Sequence, residues 1–299
     1  MPYKASLSNN LYHVSVFGVD EIVACLVEVE GWDIDKRVSM SDTPLAWVAG
    51  NGHDEVVKLL LGRDDIDPNK SGEYGQTPLW RAARNGHEGV VKMLLGRGDI
   101  NPNKSDMCDG TPLVFAVWNE HEGVVKMVHG REDIDPDEPD VEGQTPLFRA
   151  AWNGHEGIAK MLLGRDDIDP NRLCEDGETP LIWAIWAIWN EHKRVVKMIL
   201  EREDINNPDK PDEDGRTPLL WACSRGEEEI VKMLLARDDV NPHKPDMDGQ
   251  TPLLLAASYR NERIVKILLG WDEVNPGKPD SQSITPLPWA STNEHREAV

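Results

Sequence analysis

The tripeptide Thr-Pro-Leu begins at Thr43, Thr77, Thr111, Thr145, Thr179, Thr217, Thr251 and Thr285. Successive starts are 34 residues apart, except for an interval of 38 between Thr179 and Thr217. A period of this length marks a stacked-repeat architecture, in which each unit is too small to bury its apolar face alone and completes a core against its neighbours. The repeat therefore overrides the prior, from 299 residues, of one large or two average globular domains.

Each unit reads as two short helices and an arm. Residues 77–110 run TPLWRAARNGHEGVVKMLLGRGDINPNKSDMCDG. Thr77 suits a helix N-cap, and Pro78 suits the first helical position, where a missing N–H costs nothing. Leu79, Ala82 and Ala83 follow at helical spacing, and the small alanines let a neighbouring helix approach. Asn85-Gly86 is a stop signal. Glu88 places an acid at the start of a second helix, whose apolar face is Val90, Val91, Met93, Leu94 and Leu95 and which Gly96 ends. An arm of about 14 residues rich in turn formers follows. Ile100 is its apolar contact, and Pro102 argues against continued helix.

The recurring sequence of T-P-L, A-A, G-H, V-V-x-x-L-L and D-[IV]-N resembles the ankyrin repeat family. The 34-residue period and the D-I-[DN]-P-x-K arm are similar to arrays from filamentous fungi. The resemblance implies an all-α fold, an ankyrin-type helix-turn-helix solenoid with β-hairpin-like arms, whose first helices and arms line a concave groove. The expected organisation is a single array over residues 1–299. Residues 1–42 form a degenerate N-terminal cap unit, repeats start at 43, 77, 111, 145, 179, 217 and 251, and 285–299 is a truncated last unit. The family's His after T-P-L is missing throughout; Ala46, Trp80, Val114, Phe148, Ile182, Leu220, Leu254 and Pro288 stand there.

The long interval carries three extra residues in the duplicated IWAIWAIWN at 182–190 and one at Asn206-Asn207. Three residues turn a helix by about 300°, which throws its apolar face out of phase. This predicts a bulge, a longer first helix or a loop, and a break in regular stacking between the units starting at Thr145 and Thr217. His129, in the place of Leu61, Leu95, Leu163 and Leu235, is a further irregularity at an expected core position.

Acidic residues number 54 and basic residues 32, a net charge of −22. Such a field repels phosphate backbones and anionic bilayers, so no nucleic-acid and no membrane partner is expected. Cys25, Cys108, Cys174 and Cys223 lie far apart with no zinc spacing, as in reduced thiols of a cytoplasmic protein. His53, His87, His121, His155, His192 and His295 recur at one position, but neighbouring copies about 10 Å apart cannot share a metal ion. The acidic pairs Asp64-Asp65, Asp166-Asp167 and Asp238-Asp239 read as a solvated arm base. No phosphate loop, nucleophile elbow or EF-hand spacing occurs, so no cofactor, metal or catalytic set is expected.

Tryptophan is the unusual residue, with 11 copies against 3 Phe. Most lie in predicted first helices. The position that holds Trp118, Trp152 and, counted from the following His, Trp189 also accepts Gly50, Arg84, Ser224 and Ser258. A core site rarely tolerates that range, so these indoles are expected to be exposed as a ladder along the groove. The next position includes Arg225 and Tyr259. Trp47, Arg81, Phe115, Arg149, Trp183 and Trp221 share another column, where packing is the simpler role for the tryptophans. Arg81, Arg84, Trp118, Arg149, Trp152, Trp183, Trp186, Trp189, Trp221, Arg225 and Tyr259 are the candidate binding residues, because Trp, Tyr and Arg dominate interface hot spots. The expected function is protein–protein interaction, with a partner protein or peptide in the groove and self-association through an uncapped C-terminal flank. The competing expectation is an enzyme or small-molecule binder with an aromatic-lined acidic pocket.

Overall fold

The computed structural model describes residues 34–35, 42–187 and 190–271, together with 277, 279, 281, 283 and 285. The side chains of Asn190 and Glu191 fall outside the description. Trp189, the N-terminal cap apart from Ile34, Asp35 and Asp42, and the helices of the last unit also lie outside the described residues.

Among the described residues there are fourteen helices and no strand. They alternate as first and second helices: α1 (Pro44–Gly50), α2 (Asp54–Leu61), α3 (Pro78–Asn85), α4 (Glu88–Leu95), α5 (Pro112–Trp118), α6 (Glu122–His129), α7 (Pro146–Asn153), α8 (Glu156–Leu163), α9 (Pro180–Trp186), α10 (Asn190–Leu200), α11 (Pro218–Arg225), α12 (Glu228–Leu235), α13 (Pro252–Ser258) and α14 (Glu262–Leu269). They fall into two compact units, Met1–Pro146 and Leu147–Val299. In the first unit α1, α3 and α5 pack in a row, as do α2, α4 and α6. In the second, α9, α11 and α13 form one row and α8, α10, α12 and α14 another.

The local chemistry follows the repeat. Thr43, Thr77, Thr111, Thr179, Thr217 and Thr251 cap first helices, their hydroxyls accepting from the N–H three residues on, and proline occupies the first turn. Leu79, Ala82, Ala83, Val90, Val91 and Leu94 are fully buried, as are their counterparts in other repeats. The residue after T-P-L is a core position wherever it is described, from Ala46 to Leu254. Ile66, Ile100, Ile134, Ile168, Ile205 and Val240 pin the arms. Gly86 takes left-handed φ +76, and a Cβ there would strike the His121 ring at 2.7 Å. Gly96 and its equivalents end second helices in right-handed conformation instead, so Ala236 serves as well.

Three sets of contacts that the periodicity alone does not reveal tie repeat to repeat. The His column does not cap the second helices by side chain. Instead Nε2 of His87, His121 and His192 lies against the carbonyl of Gly50, Arg84 and Trp152 in the preceding repeat, at 2.9, 3.0 and 2.7 Å. Asn261 donates to Cys223 O in the same way. In the arms, Asn69 Nδ2 donates to Asp99 O while its Oδ1 accepts from Asn101 N, and Asn103 and Asn171 repeat the pattern. At the arm base, Arg97 grips both oxygens of Asp99 through Nε and Nη2, at 2.8 and 2.7 Å, and donates Nη1 to Leu61 O one repeat back. Arg131, Arg202 and Arg237 do the same with Asp133, Asp204 and Asp239 and with Leu95, Leu163 and Leu200. The acidic pairs are therefore not simply a solvated base. The second member of each pair is gripped by the arginine two residues before it, and such an arginine lowers the Asp65, Asp99, Asp133, Asp204 and Asp239 carboxyls below their ordinary range.

The arms end in hairpin tips without regular strands. Asp106 N donates to Gly110 O and Asp109 N to Asp106 O, and the same pair of bonds recurs at 140–144, 174–178, 212–216 and 246–250. Neighbouring tips are joined by Met107 N to Tyr74 O, Val141 N to Cys108 O and Met247 N to Asp214 O. The extra residues at 182–190 leave the first helix unchanged: α9 keeps seven residues. The second helix absorbs the insertion instead, since α10 has eleven residues where α8 has eight. His192 is thus inside a helix, yet it keeps its bond to the preceding repeat. His129 is half-buried, as Leu61 and Leu95 are in the same column, while Leu163 and Leu235 there are buried.

Candidate functional site

In the first unit an aromatic cluster grows from α3 and α5. Trp80 is 1% exposed, and its indole donates to Gly110 O at 3.0 Å, which fixes it beneath a hairpin tip. Phe115 packs on it at 4.5 Å between ring centroids and stacks on Trp118 at 6.0 Å. Trp118 remains 46% exposed. The Arg84 guanidinium lies 5.4 Å from the Trp80 ring and 5.8 Å from Phe115. Such contacts hold a long side chain over a π face without removing it from water. Arg84 is exposed; Arg81 is not available in the same way. It is half-buried and ion-paired at 2.6 Å with the buried Asp42.

The second unit builds a larger cluster. Trp183 and Trp186 are three residues apart on α9, hence on one face. Trp152 stacks on Trp183 at 3.9 Å and is half-buried, not a freely exposed rung. Trp186 meets Trp183 edge-on at 5.2 Å and is 40% exposed. Because the insertion follows α9, Trp186, not Trp189, stands seven residues after its Thr, as Trp118 and Trp152 do. The alignment counted backward from the His turn is corrected accordingly, and Trp189 itself lies outside the described residues. Arg225 lies 5.2 Å from the Trp186 ring and 5.5 Å from Trp221, and Arg216 lies 5.0 Å from Trp221. The Trp221 indole donates to Asp212 Oδ2 at 2.8 Å. Arg149 is half-buried on α7, and Tyr259 is 58% exposed after α13.

Between α9, α11 and the two hairpin tips before them is a cavity of about 400 Å³, lined by Asp176, Glu178, Ile182, Trp183, Trp186, Asp212, Glu213, Asp214 and Trp221. The helix N-caps set this geometry: each tip ends one residue before a Thr cap, so tip carboxylates hang over the first turns of the helices. Asp212 is fully engaged, since Oδ1 accepts from the N–H groups of Asp214 and Arg216 while Oδ2 takes the indole. Burial pushes the Glu178 carboxyl up. The neighbouring Trp183 indole draws it back, though it makes no hydrogen bond of normal geometry, and Asp212, Asp176 and Glu213 push it up further. Sequence reasoning named the tryptophans but missed the carboxylates, which belong to the arms. Their signal was Glu178 itself, an acid in the column of Asp42, Gln76, Gly110, Gln144, Arg216 and Gln250.

Cys174, Asp176 and Glu178 bring three ligand-type atoms within 4.8 Å of one another. The thiol stands where Asp106 and Asp140 accept from tip N–H groups in other repeats, it faces the backbone of Glu178 and Asp176, and burial holds it in the protonated form. Cys108, Cys174 and Cys223 are all free thiols. No helix of the described residues is long and apolar enough to cross a membrane.

The paired helices, Thr-Pro caps and arms have their counterpart in sequence comparison. The family model for ankyrin repeats (3 copies) matches residues 11–106, 98–173, 168–246 and 185–280. No curated protein matches the chain. Matches over most of the sequence, on a framework of successive capped helix pairs, place this chain in the ankyrin repeat family.

Proposed function

We propose that the chain is an interaction module that binds a partner protein or peptide along its first helices, in the concave groove, through a surface of tryptophan and arginine. Ankyrin repeats in general mediate protein–protein interaction, and the finer assignment rests on one observation. Trp118 and Trp186 are large indoles left 46% and 40% exposed at the same position of two repeats, each beside a guanidinium stacked in its cluster. An exposed Trp offers much apolar area and one N–H donor, which suits a surface that is wet when free and covered when bound. Arg84, Arg225 and Tyr259 extend that surface, whereas Trp152, Trp183 and Trp221 support it from a half-buried layer. The net charge of −22 favours a basic partner over a nucleic acid or an anionic membrane.

The test is capture of the binding partner from native extract, followed by titration of that partner against Trp118→Ala and Trp186→Ala. Loss of affinity with an unchanged melting midpoint supports the reading; unchanged affinity in both variants refutes it. A small-molecule or enzymatic role has one observation in its favour, the cavity of about 400 Å³, which lies within the size range of ligand sites.

A further inference from the structure

The cavity of the second unit combines three features that rarely meet by chance. Its walls are indoles, its rim is anionic, and each of its tryptophans is held in place by a neighbouring side chain. Trp221 is oriented by Asp212, Trp186 by Arg225, and Trp183 by the stacked Trp152. Carboxylates approach from two different tips, Asp176 and Glu178 on one side and Asp212, Glu213 and Asp214 on the other. Aromatic walls with an acidic rim select a cation that also carries hydrocarbon. A planar guanidinium is best served by one coplanar carboxylate, and this chain's own Arg225 and Arg216 already stack on the cluster. A compact ammonium, with three donors on a flexible stem, is better suited to carboxylates that converge from two sides.

We propose that this cavity receives the side chain of a lysine from a basic segment of the partner, with its methylenes along Trp183 and Trp186 and its ammonium among Glu178, Asp176 and the 212–214 tip. The proposal rests on the peptide-binding reading above and names its chemistry. Glu178 is the specificity element. At its position other repeats carry Asp42, Gln76, Gly110, Gln144, Arg216 and Gln250, so the fold does not require an acid there. Burial and the neighbouring acids raise its proton affinity, which an incoming ammonium relieves.

The probe is a glycine pentapeptide with a central lysine, acetylated and amidated, titrated into the full chain while the indole N–H resonances of Trp183, Trp186 and Trp221 are followed. Saturable shifts at these three, with Trp80 and Trp118 unmoved, are expected. The norleucine isostere should leave them in place, and the arginine peptide should bind more weakly. Glu178→Gln should weaken lysine binding by about tenfold, the scale of a single desolvated charge contact. The exposed Glu213→Gln should weaken it less, and both variants should keep the wild-type melting midpoint or exceed it. Equal shifts with norleucine, binding of arginine as tight as lysine, or shifts spread equally over Trp80 and Trp118 would each overturn the proposal. The probe contains no partner, so silence at the three indoles refutes the lysine pocket alone. Indifference of the captured partner to Trp118→Ala and Trp186→Ala, with the saturable lysine-peptide shifts retained, refutes the interaction surface and leaves the lysine selectivity of the cavity standing.

Discussion

The two aromatic clusters use the same parts to different ends. In the first unit the hairpin tip at 106–110 receives the Trp80 indole on a backbone carbonyl, Gly110 O, and the ring is buried to 1% exposure. In the second the tip at 212–216 receives the Trp221 indole on a carboxylate, Asp212, and the ring remains half-exposed over a cavity. One tip closes over its tryptophan; the other holds its tryptophan open beside charge. Trp80 and Trp221 stand at different repeat positions. Trp80, three residues after Thr77, fills the core site that Phe148, Ile182 and Leu220 fill in the second unit, whereas Trp221, four residues after Thr217, stands at the half-buried position that Arg81 and Phe115 hold in the first. The repeat position of an indole thus decides whether it packs or lines a cavity.

The largest effect should separate the clusters by stability. Trp80→Ala removes a fully buried ring and its hydrogen bond and should cost about 3–5 kcal/mol, read as a lower midpoint in chemical denaturation. Trp221→Ala, half-exposed, should cost clearly less. Equal losses would break the distinction between a closed and an open indole.

The next effect is on binding. Trp186→Ala should reduce partner affinity by about 2 kcal/mol while moving the melting midpoint little, because a side chain in solvent has few contacts to lose. A fall in midpoint comparable to that of Trp80→Ala would return Trp186 to packing.

Much of this was legible beforehand because a solenoid writes its rules once per repeat. The Thr caps, the Pro at the first helical position and the buried Leu, Ala and Val positions follow from any single unit. Contacts between repeats were not legible, because Asn69, Arg97 and His87 each act on a backbone carbonyl about one period away, and a backbone carbonyl leaves no trace in sequence. The insertion shows a second limit. Helical phase predicts a disturbance but not which helix takes it, and α10 lengthened at its N-terminus where a longer α9 was among the expected outcomes. That choice moved Trp186 into the exposed column. The pocket carboxylates were hidden for the same reason as the clamps: they come from arms brought over the helices by folding.

Acid titration separates the two kinds of carboxylate. Asp65, Asp99, Asp133, Asp204 and Asp239 are held below the ordinary carboxylate value by their arginines, so they contribute stability above about pH 4 that is lost as pH falls through their folded values. Glu178 has the opposite sign. Raised in the folded chain, it opposes folding once ionised and ceases to do so as pH falls. Midpoints measured from pH 7 to 3 should therefore drop below about pH 4 in the wild type. Glu178→Gln should be the more stable chain at pH 7, with the advantage gone in acid. An advantage that persists unchanged at pH 3 would show that Glu178 costs nothing through its charge.

The smallest effect lies in the tip beneath which Trp80 sits. Gly75, Gly143, Gly177, Gly215 and Gly249 occupy the left-handed position of their tips, where Asp109 and Ser283 stand as non-glycine residues with φ 54 and 65. An L-residue in that region crowds its Cβ against its own backbone at about 1–2 kcal/mol, less for Asp than for most. Glycine removes the crowding but adds freedom to the unfolded chain, which offsets part of the gain. Asp109→Gly should therefore raise stability by only about 0.5 kcal/mol. The tip's other bonds, Asp106 N to Gly110 O and Asp106 Oδ1 to Cys108 N and Gly110 N, involve no atom of the Asp109 side chain and should survive. The Trp80 indole, bonded to Gly110 O, reports on the same tip. Its N–H should exchange with solvent more slowly in the variant if relief of the strain steadies the hairpin. Faster exchange or a lower midpoint would mean that the Asp109 carboxylate holds the tip in a way its backbone angle does not reveal, and the closed character of the first cluster would then depend on charge after all, as the second one does.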